Sequence, residues 1–129
     1  MSEIETSLIG FSRGDASGGT FYASNPATGE QLAAAYASAS DAEVDRAAEL
    51  AEQAAGSLAA LSGAEKAKFL RTVADNVEGI VEDLVSIVTS ETGLPEPRVR
   101  GETGRTSGQL RLFADLVEEG SWVDARIDH

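Results

Sequence analysis

The spacing of apolar residues changes near residue 40. Before that point, two short apolar or β-branched runs at residues 8–11 and 20–23 flank the spacer SRGDASGG, which is rich in turn-forming residues. We expect these two runs to pair as a β-hairpin. The segment NPATGE follows and predicts a tight turn, because Asn-Pro favours turn initiation and Gly29 closes the turn. A third strand is predicted for residues 31–37.

After residue 40 the apolar residues follow a helical period. Ser40 and Glu43 form a capping-box pair, in which each side chain satisfies a backbone N–H group at the start of a helix. The first helix is predicted to begin there, with Gly56 near its end. Its apolar stripe recurs at steps of three and four residues. The stripe consists of Val44, Ala48, Ala51, Ala55 and Leu58.

A second capping-box pair, Ser62 and Glu65, predicts the start of another helix. A break near Gly79 separates it from a third helix, which we expect to be more fully buried. The third helix ends at Gly93 and Pro95, because glycine suits the left-handed position after a helix and proline blocks its continuation. The stripe of the second helix is Phe69, Val73, Val77 and Ile80, and the third helix carries Ile80, Val81, Leu84, Val85, Ile87 and Val88.

A fourth helix is predicted to begin near Pro95 or Pro97. Its apolar stripe, again at steps of three and four residues, consists of Val99, Thr103, Thr106, Leu110, Phe113 and Val117. The chain therefore divides into strands and turns over residues 1–37 and four helices over residues 40–120. This order of strands followed by helices predicts a mixed α+β fold.

Three glycines in the fourth helix, within the stretch RGETGRTSGQLRLFADL, suggest a second interpretation. Glycines, arginines and hydroxyl groups together are typical of loops that bind phosphate. The spacing G-x-x-G-x-x-x-G matches neither common phosphate-binding pattern, however, and no strand leads into it. On a helix, Gly101, Gly104 and Gly108 lie within about 60° of one another. Either something approaches the backbone closely along this stripe, or the first half of the helix is poorly formed.

Composition narrows the class of protein. The 129 residues are 42% hydrophobic but only 5% aromatic, and many of the apolar residues are alanine, so we expect a thin core with close backbone contacts. The formal net charge of −12 argues against binding to nucleic acid or to an anionic membrane surface. The acidic residues are spread along the chain, which indicates a solvated surface; adaptation to salt is a secondary interpretation.

The chain contains no cysteine, which removes disulfides, thiolate metal sites and a cysteine nucleophile from these residues. No apolar run reaches the ~20 residues that a membrane span needs, and the acidic N-terminus is unlike a signal peptide, so a cytoplasmic location is expected. His129 is the only histidine, which leaves little material for a Ser–His–Asp site. We expect no metal site.

One group of residues beside the glycine stripe has a chemical interpretation. Arg98, Arg105 and Gln109 lie near it at about one or two helical turns from each other. An arginine with a nearby amide donor is suited to holding the carboxylate of a small substrate. The alternative is that these arginines form surface ion pairs with Glu102 or Asp115.

Several segments resemble the N-terminal part of the aldehyde dehydrogenase superfamily. The most specific are the NPATG turn and the helix end ETGLP. The resemblance also includes EVDRAAELAEQA and the longer segment that ends in ETGLP, FLRTVADNVEGIVEDLVSIVTSETGLP. The closing portion, RGETGRTSGQLRLFADLVEEGSWVDARID, is similar to the branch that oxidises α-ketoglutarate semialdehyde (2,5-dioxopentanoate) to 2-oxoglutarate, usually with NADP.

The resemblance implies that residues 1–129 are an N-terminal segment truncated before the dinucleotide-binding motif and the catalytic domain. The nucleophile and general base of the family then lie beyond residue 129, and no catalytic or cofactor-binding residue carries over to this chain. The full-length enzyme would use NADP or NAD and form a homo-oligomer. The corresponding family helix lines the substrate channel, which gives Arg105 and Gln109 the role of binding the carboxylate of an acidic aldehyde.

The isolated chain is expected to be inactive and poorly stable, because its apolar stripes need partners that other parts of such an enzyme would supply. A second hypothesis is a stand-alone helical interaction or assembly module without catalysis. Its support is the combination of amphipathic helices with the lack of any catalytic set in the sequence.

Overall fold

The structure is a computed structural model that describes residues 4–126. His129 lies outside the described residues. Within them, short strands come first and four helices follow, which confirms the mixed α+β class. The strands are β1 (Ile4–Glu5), β2 (Leu8–Ile9), β3 (Ser12–Arg13), β4 (Thr20–Ser24) and β5 (Gln31–Ala37). The helices are α1 (Asp41–Ala60), α2 (Gly63–Gly79), α3 (Val81–Thr92) and α4 (Glu96–Glu119), and a 3₁₀ turn covers Ser121–Val123.

The chain forms two compact units. The first contains the described residues up to Ala60 together with Ser90–Gly93. The second contains Leu61–Thr89 together with the described residues from Leu94 onward. Among the described residues, every helix is too short or too polar to cross a membrane.

The first unit is built on a three-stranded sheet with β5 at its centre. β4 pairs with β5 in antiparallel orientation across the NPATGE turn, and β1 pairs with the other edge of β5 in parallel orientation. In the turn, the Asn25 side chain accepts a hydrogen bond from the Ala27 N–H group at 2.9 Å. Gly29 has a φ of 74°, a left-handed conformation that glycine adopts without strain.

The predicted hairpin between residues 8–11 and 20–23 is wrong. β2 pairs instead with β3, through a two-residue turn that begins at Gly10, and β4 pairs with β5. Gly10 has a φ of 61°, which permits a tight turn inside the first predicted run. These two antiparallel pairs, β2 with β3 and β4 with β5, join strands that are adjacent in sequence, and a short loop costs less conformational entropy.

The capping box predicted for α1 is present, and its glutamate also binds a loop of the strand region. The Glu43 carboxylate accepts hydrogen bonds from the Ser40 N–H group and, at 2.8 Å, from the N–H group of Asp15 in the loop after β3. Glu43 therefore starts the helix and also fixes this loop. The rest of α1 contains no buried residue, so its predicted apolar stripe is exposed to solvent, with Val44 at 59% and Leu58 at 53%.

The core of the second unit lies between α2 and α4 and consists of small side chains. Ala67 and Ala74 on α2 and Ser107 and Ala114 on α4 are fully buried. Small residues allow the two helix backbones to approach closely. This agrees with the expected thin core, but the predicted stripes are partly wrong. Their aromatic members Phe69 and Phe113 are exposed, as are Ile80 and Thr106.

The ends of the third helix match the sequence prediction, but its burial does not. α3 begins after a break at Ile80 and ends before Gly93, which has a φ of 70°. Only Val85 is buried on this helix, and Ile87 is 49% exposed. The expectation of a fully buried third helix is therefore wrong. Apolar residues on two sides of a short helix do not by themselves show that other helices pack against both sides.

Candidate functional site

The stretch that contains the three glycines is one continuous helix. α4 begins after Pro95, which is the N-cap, and Pro97 lies in its first turn, where the missing N–H group costs nothing. The helix ends at Gly120, whose φ of 81° is the left-handed conformation of a C-terminal cap. Neither a phosphate-binding loop nor a poorly formed first half is compatible with this helix.

The glycine stripe faces open space among the described residues. A Cβ atom added at Gly101, Gly104 or Gly108 would have no neighbouring atom within 4 Å. The close approach expected from the sequence is therefore not made by any described residue. Three glycines leave the backbone of α4 uncovered along one side, at the cost of about 1 kcal/mol each relative to alanine.

The structure places Arg105 and Gln109 together beside this stripe. Both side chains line an open cleft of about 470 Å³ in the second unit. We call it the Arg105 cleft. It is lined by Leu70, Glu102, Arg105, Thr106, Gln109, Leu110 and Phe113.

The third predicted residue, Arg98, is not among those that line the cleft. Its guanidinium pairs with the Glu102 carboxylate at 2.6 Å, one turn further along α4. This is the surface ion pair that the alternative interpretation expects for an arginine of this helix. Asp115, the other proposed acidic partner, pairs with Arg71 of α2 at 2.7 Å.

Arg105 differs from the other arginines in its charge environment. The chain has eight arginines, and within residues 4–126 the other seven all form ion pairs with carboxylates. Arg105 has no ion pair or hydrogen bond to any of these residues, although acidic residues outnumber basic ones by 22 to 10. An uncompensated guanidinium in a chain of net charge −12 is available to an external anion.

Ion pairs between helices hold α4 in place, and they were not predicted from the sequence. Arg111 of α4 binds the Glu78 carboxylate of α2 with two hydrogen bonds of 2.6 and 3.0 Å. Arg100 binds Glu82 of α3 in the same two-pronged way, at 2.8 Å for each bond. The available signal was the spacing of the two arginines, since eleven residues are about three helical turns and place them on one side of α4.

These ion pairs shift the acids toward the charged form. The Arg111 guanidinium, and after it the Ser107 hydroxyl, lower the pKa of Glu78. Arg100 lowers the pKa of Glu82, and Arg71 lowers the pKa of Glu118. A carboxylate stabilised in its ionised form and fixed by an arginine is poorly suited to act as a general base or acid near neutral pH. We therefore assign these acids to the stability of the packing of α2 and α3 against α4.

The first unit also has an open cleft, of about 1060 Å³, between the β2–β3 hairpin and α1. Two carboxylates line this cleft, and both accept hydrogen bonds from the protein itself. Glu43 accepts from the start of α1 and from the loop after β3, and Asp15 accepts from the Ser17 N–H group at 3.0 Å. No group of three or more histidine, aspartate or glutamate residues in the described chain is arranged to hold a metal ion. Arg105 and Gln109 in their cleft are thus the strongest candidate for binding a ligand.

Comparison with known proteins gives the family. Residues 13–125 match the aldehyde dehydrogenase family, a match that covers most of the chain. The chain therefore belongs to the aldehyde dehydrogenase family. This agrees with the resemblance of the NPATG turn and the ETGLP helix end.

Similar proteins narrow the comparison to semialdehyde dehydrogenases. The chain is 42% identical over 122 residues to alpha-ketoglutaric semialdehyde dehydrogenase 2 of Azospirillum brasilense, which covers 94% of this chain and 23% of that protein. It is 44% identical over 86 residues to alpha-ketoglutaric semialdehyde dehydrogenase of Acinetobacter baylyi, covering 67% of this chain and 16% of that protein.

A third relative is named for another substrate. The 2-hydroxymuconic semialdehyde dehydrogenase of Pseudomonas sp. is 32% identical over 120 residues, covering 92% of this chain and 24% of that protein. The chain thus spans about a quarter or less of the length of these relatives.

Proposed function

We propose that the chain is the N-terminal segment of an NAD(P)-dependent aldehyde dehydrogenase that oxidises α-ketoglutarate semialdehyde to 2-oxoglutarate. In this proposal the segment binds the substrate and carries no catalytic residue. The observation that carries it is the Arg105 guanidinium, which has no acidic partner among the described residues and shares a cleft with Gln109. Two relatives of more than 40% identity are named for this semialdehyde.

The cleft suits a short acidic aldehyde. A guanidinium binds a carboxylate with two parallel, charge-assisted hydrogen bonds, and the Gln109 amide one turn later supplies a further donor. Leu70, Leu110 and Phe113 form apolar walls that reduce competition from water. The volume of about 470 Å³ lies within the range of small-molecule sites. Binding at the carboxylate end leaves the aldehyde end of the substrate free to reach catalytic groups elsewhere in the enzyme.

The described residues do not fit the dinucleotide. Its pyrophosphate is usually held where a glycine-rich turn opens a helix directly after a strand. Here the glycines form a stripe within α4, which follows another helix. We therefore assign the binding of NAD(P), the hydride acceptor, to other parts of the enzyme.

The proposal is tested with Arg105→Gln in a complete enzyme, made by replacing the matched 122 residues of the Azospirillum relative with this chain. Loss of one charge-assisted contact should raise KM for the semialdehyde about tenfold while kcat changes little. KM for a neutral aldehyde of similar length should stay unchanged. Arg46→Gln, which removes an exposed arginine from α1, is the matched control. Equal increases in KM for both aldehydes would contradict a role in carboxylate binding.

A second candidate, a stand-alone interaction or assembly module, is favoured by the first helix. α1 has twenty residues and no buried side chain, and its apolar stripe faces solvent. Under this hypothesis the 129-residue chain folds cooperatively and associates through α1. Sedimentation of the chain and of a Val44→Glu/Leu58→Glu variant distinguishes the two candidates. Concentration-dependent association that the variant abolishes supports the module, whereas a chain that stays monomeric at every concentration supports the enzyme segment.

A further inference from the structure

The immediate neighbours of Arg105 on α4 explain why it is free of ion pairs. On an α-helix, the positions three and four residues away are the side-chain neighbours of a residue. For Arg105 these positions hold Gly101, Glu102, Gly108 and Gln109. Two neighbours have no side chain and one is a neutral amide. Glu102 is therefore the one carboxylate among the described residues of α4 that is placed to neutralise Arg105 by an ion pair along the helix.

Glu102 is instead held by Arg98. The Arg98 Nη2 atom lies 2.6 Å from the Glu102 Oε1 atom, in an ion pair between positions four residues apart. This contact draws the carboxylate toward the N-terminus of α4, whereas Arg105 lies one turn toward the C-terminus. Glu102 nevertheless lines the same cleft as Arg105, so its negative charge stands next to the proposed position of the substrate carboxylate.

We infer that Arg98 is a positioning residue that holds the Glu102 carboxylate and thereby keeps the Arg105 guanidinium free for the carboxylate of the substrate. This inference rests on the proposed function. Without Arg98, Glu102 pairs with Arg105 along the helix and also repels an incoming anion. Since exposed ion pairs are weak, substrate still competes, and the loss of affinity is moderate rather than complete.

The inference is tested by the binding of 2-oxoglutarate to the full chain. Isothermal titration calorimetry measures the dissociation constant of every variant, including Arg105→Gln. Arg98→Gln should weaken binding about threefold, the size expected for one exposed pair. Arg98→Lys keeps a cation at this position and should bind as the unchanged chain does. Arg98→Gln/Glu102→Gln should restore the affinity, because the released carboxylate is absent. Arg46→Gln controls for the loss of one positive charge elsewhere.

The outcomes separate this inference from the proposed function. If Arg105→Gln binds 2-oxoglutarate as well as the unchanged chain, the proposed function fails. If Arg105→Gln abolishes binding but Arg98→Gln binds normally, the inference fails and the proposed function stands. A double variant that remains as weak as Arg98→Gln would show that Arg98 contacts the anion directly, which also overturns the inference.

Kinetics in the complete enzyme give a second measurement that does not depend on the stability of the isolated chain. Arg98→Gln should raise KM for the semialdehyde about threefold, with kcat unchanged and with no effect on a neutral aldehyde. A purely structural defect would instead lower kcat for both aldehydes. The double variant should again recover the original KM, and failure to do so counts against the inference.

Discussion

The backbone carbonyl oxygen of Val117 on α4 lies directly against Gly63, the first residue of α2. A Cβ atom added at Gly63 would overlap this oxygen, and the clash would be with backbone rather than with a side chain that can move aside. The contact stands at one end of the interface in which Ala67, Ala74 and Ala114 are fully buried. Close backbone approach therefore extends along the helix pair.

We expect Gly63→Ala to destabilise the second unit by about 1–3 kcal/mol, the usual cost of overpacking. Urea titration followed by circular dichroism measures the change in the free energy of unfolding. Gly56→Ala is the matched control, because an added Cβ atom there meets nothing within 4 Å in the interior of α1. An equal effect of both substitutions would show that Gly63 matters only for backbone flexibility.

The glycine stripe of α4 gives the opposite expectation. Gly104→Ala should stabilise the isolated chain by about 1 kcal/mol, because alanine is the better helix former and the added methyl group meets no atom of the described residues. The same titration measures this gain. In the complete enzyme the same substitution tests whether another part of the protein or the substrate lies against the glycine stripe. Unchanged activity would show that nothing approaches α4 at this point, whereas lost activity would identify a close contact outside the described residues.

The capping box at the start of α2 should contribute measurably to the stability of the second unit. The Glu65 N–H group donates to the Ser62 hydroxyl at 3.2 Å, and the Ser62 N–H group donates to the Glu65 carboxylate at 2.8 Å. Ser62→Ala should cost about 1 kcal/mol, because it removes the acceptor for one N–H group at the helix start. Ser57→Ala on exposed α1 is the control, since the Ser57 hydroxyl only donates to a carbonyl of its own helix. A loss no larger than that of the control would contradict the prediction.

The helices were predictable because their ends depend on local chemistry. Ser40 with Glu43, Ser62 with Glu65, and Gly93 before Pro95 satisfy or block backbone groups within a few residues, so sequence spacing alone locates them. Strand pairing was not predictable in the same way. The runs at residues 8–11 and 20–23 carry no signal that selects one partner over another, and the two-residue turn at Gly10 decided the pairing.

The buried face of the helix pair was the harder part of the fold. Sequence periodicity assigned the core to large residues such as Phe69 and Phe113, which are exposed. The observed interface consists of small residues. One of them is Ser107, a polar residue that can be fully buried because its hydroxyl donates to the Thr103 carbonyl of its own helix. A hydrophobic stripe identifies the core only where large side chains fill it.

In the candidate site, too, the positions of residues on one helix were predictable, whereas contacts with other helices were not. Steps of three and four residues are sufficient to place Arg105, Gln109 and Glu102 on neighbouring parts of one helix. That Arg105 is free could not be predicted, because it depends on where the carboxylates of other helices lie. Asp115, for example, was a plausible partner by sequence but is bound by Arg71 of α2.

The ion pairs between helices predict how the stability of the second unit depends on pH. The pKa of Glu78 is lowered chiefly by the Arg111 guanidinium, and Arg71 likewise lowers the pKa of Glu118. A carboxyl group with a lowered pKa stabilises the folded state above its unfolded value, about 4.3 for glutamate, and this stabilisation is lost as the pH falls through the folded value. The free energy of unfolding of the helix pair should therefore decrease as the pH falls below about 4.3.

Substitution of one partner isolates this contribution from the general effect of neutralising an acidic chain. Arg111→Gln should be less stable than the unchanged chain at pH 7 and should lose less stability on acidification, because Glu78 no longer has a lowered pKa to lose. The two curves of unfolding free energy against pH should therefore converge as the pH falls below the unfolded value of glutamate. Arg46→Gln, which breaks an exposed pair within α1, should give a curve parallel to that of the unchanged chain. Parallel curves for Arg111→Gln as well would mean that the pair with Glu78 contributes nothing to the pH dependence of folding.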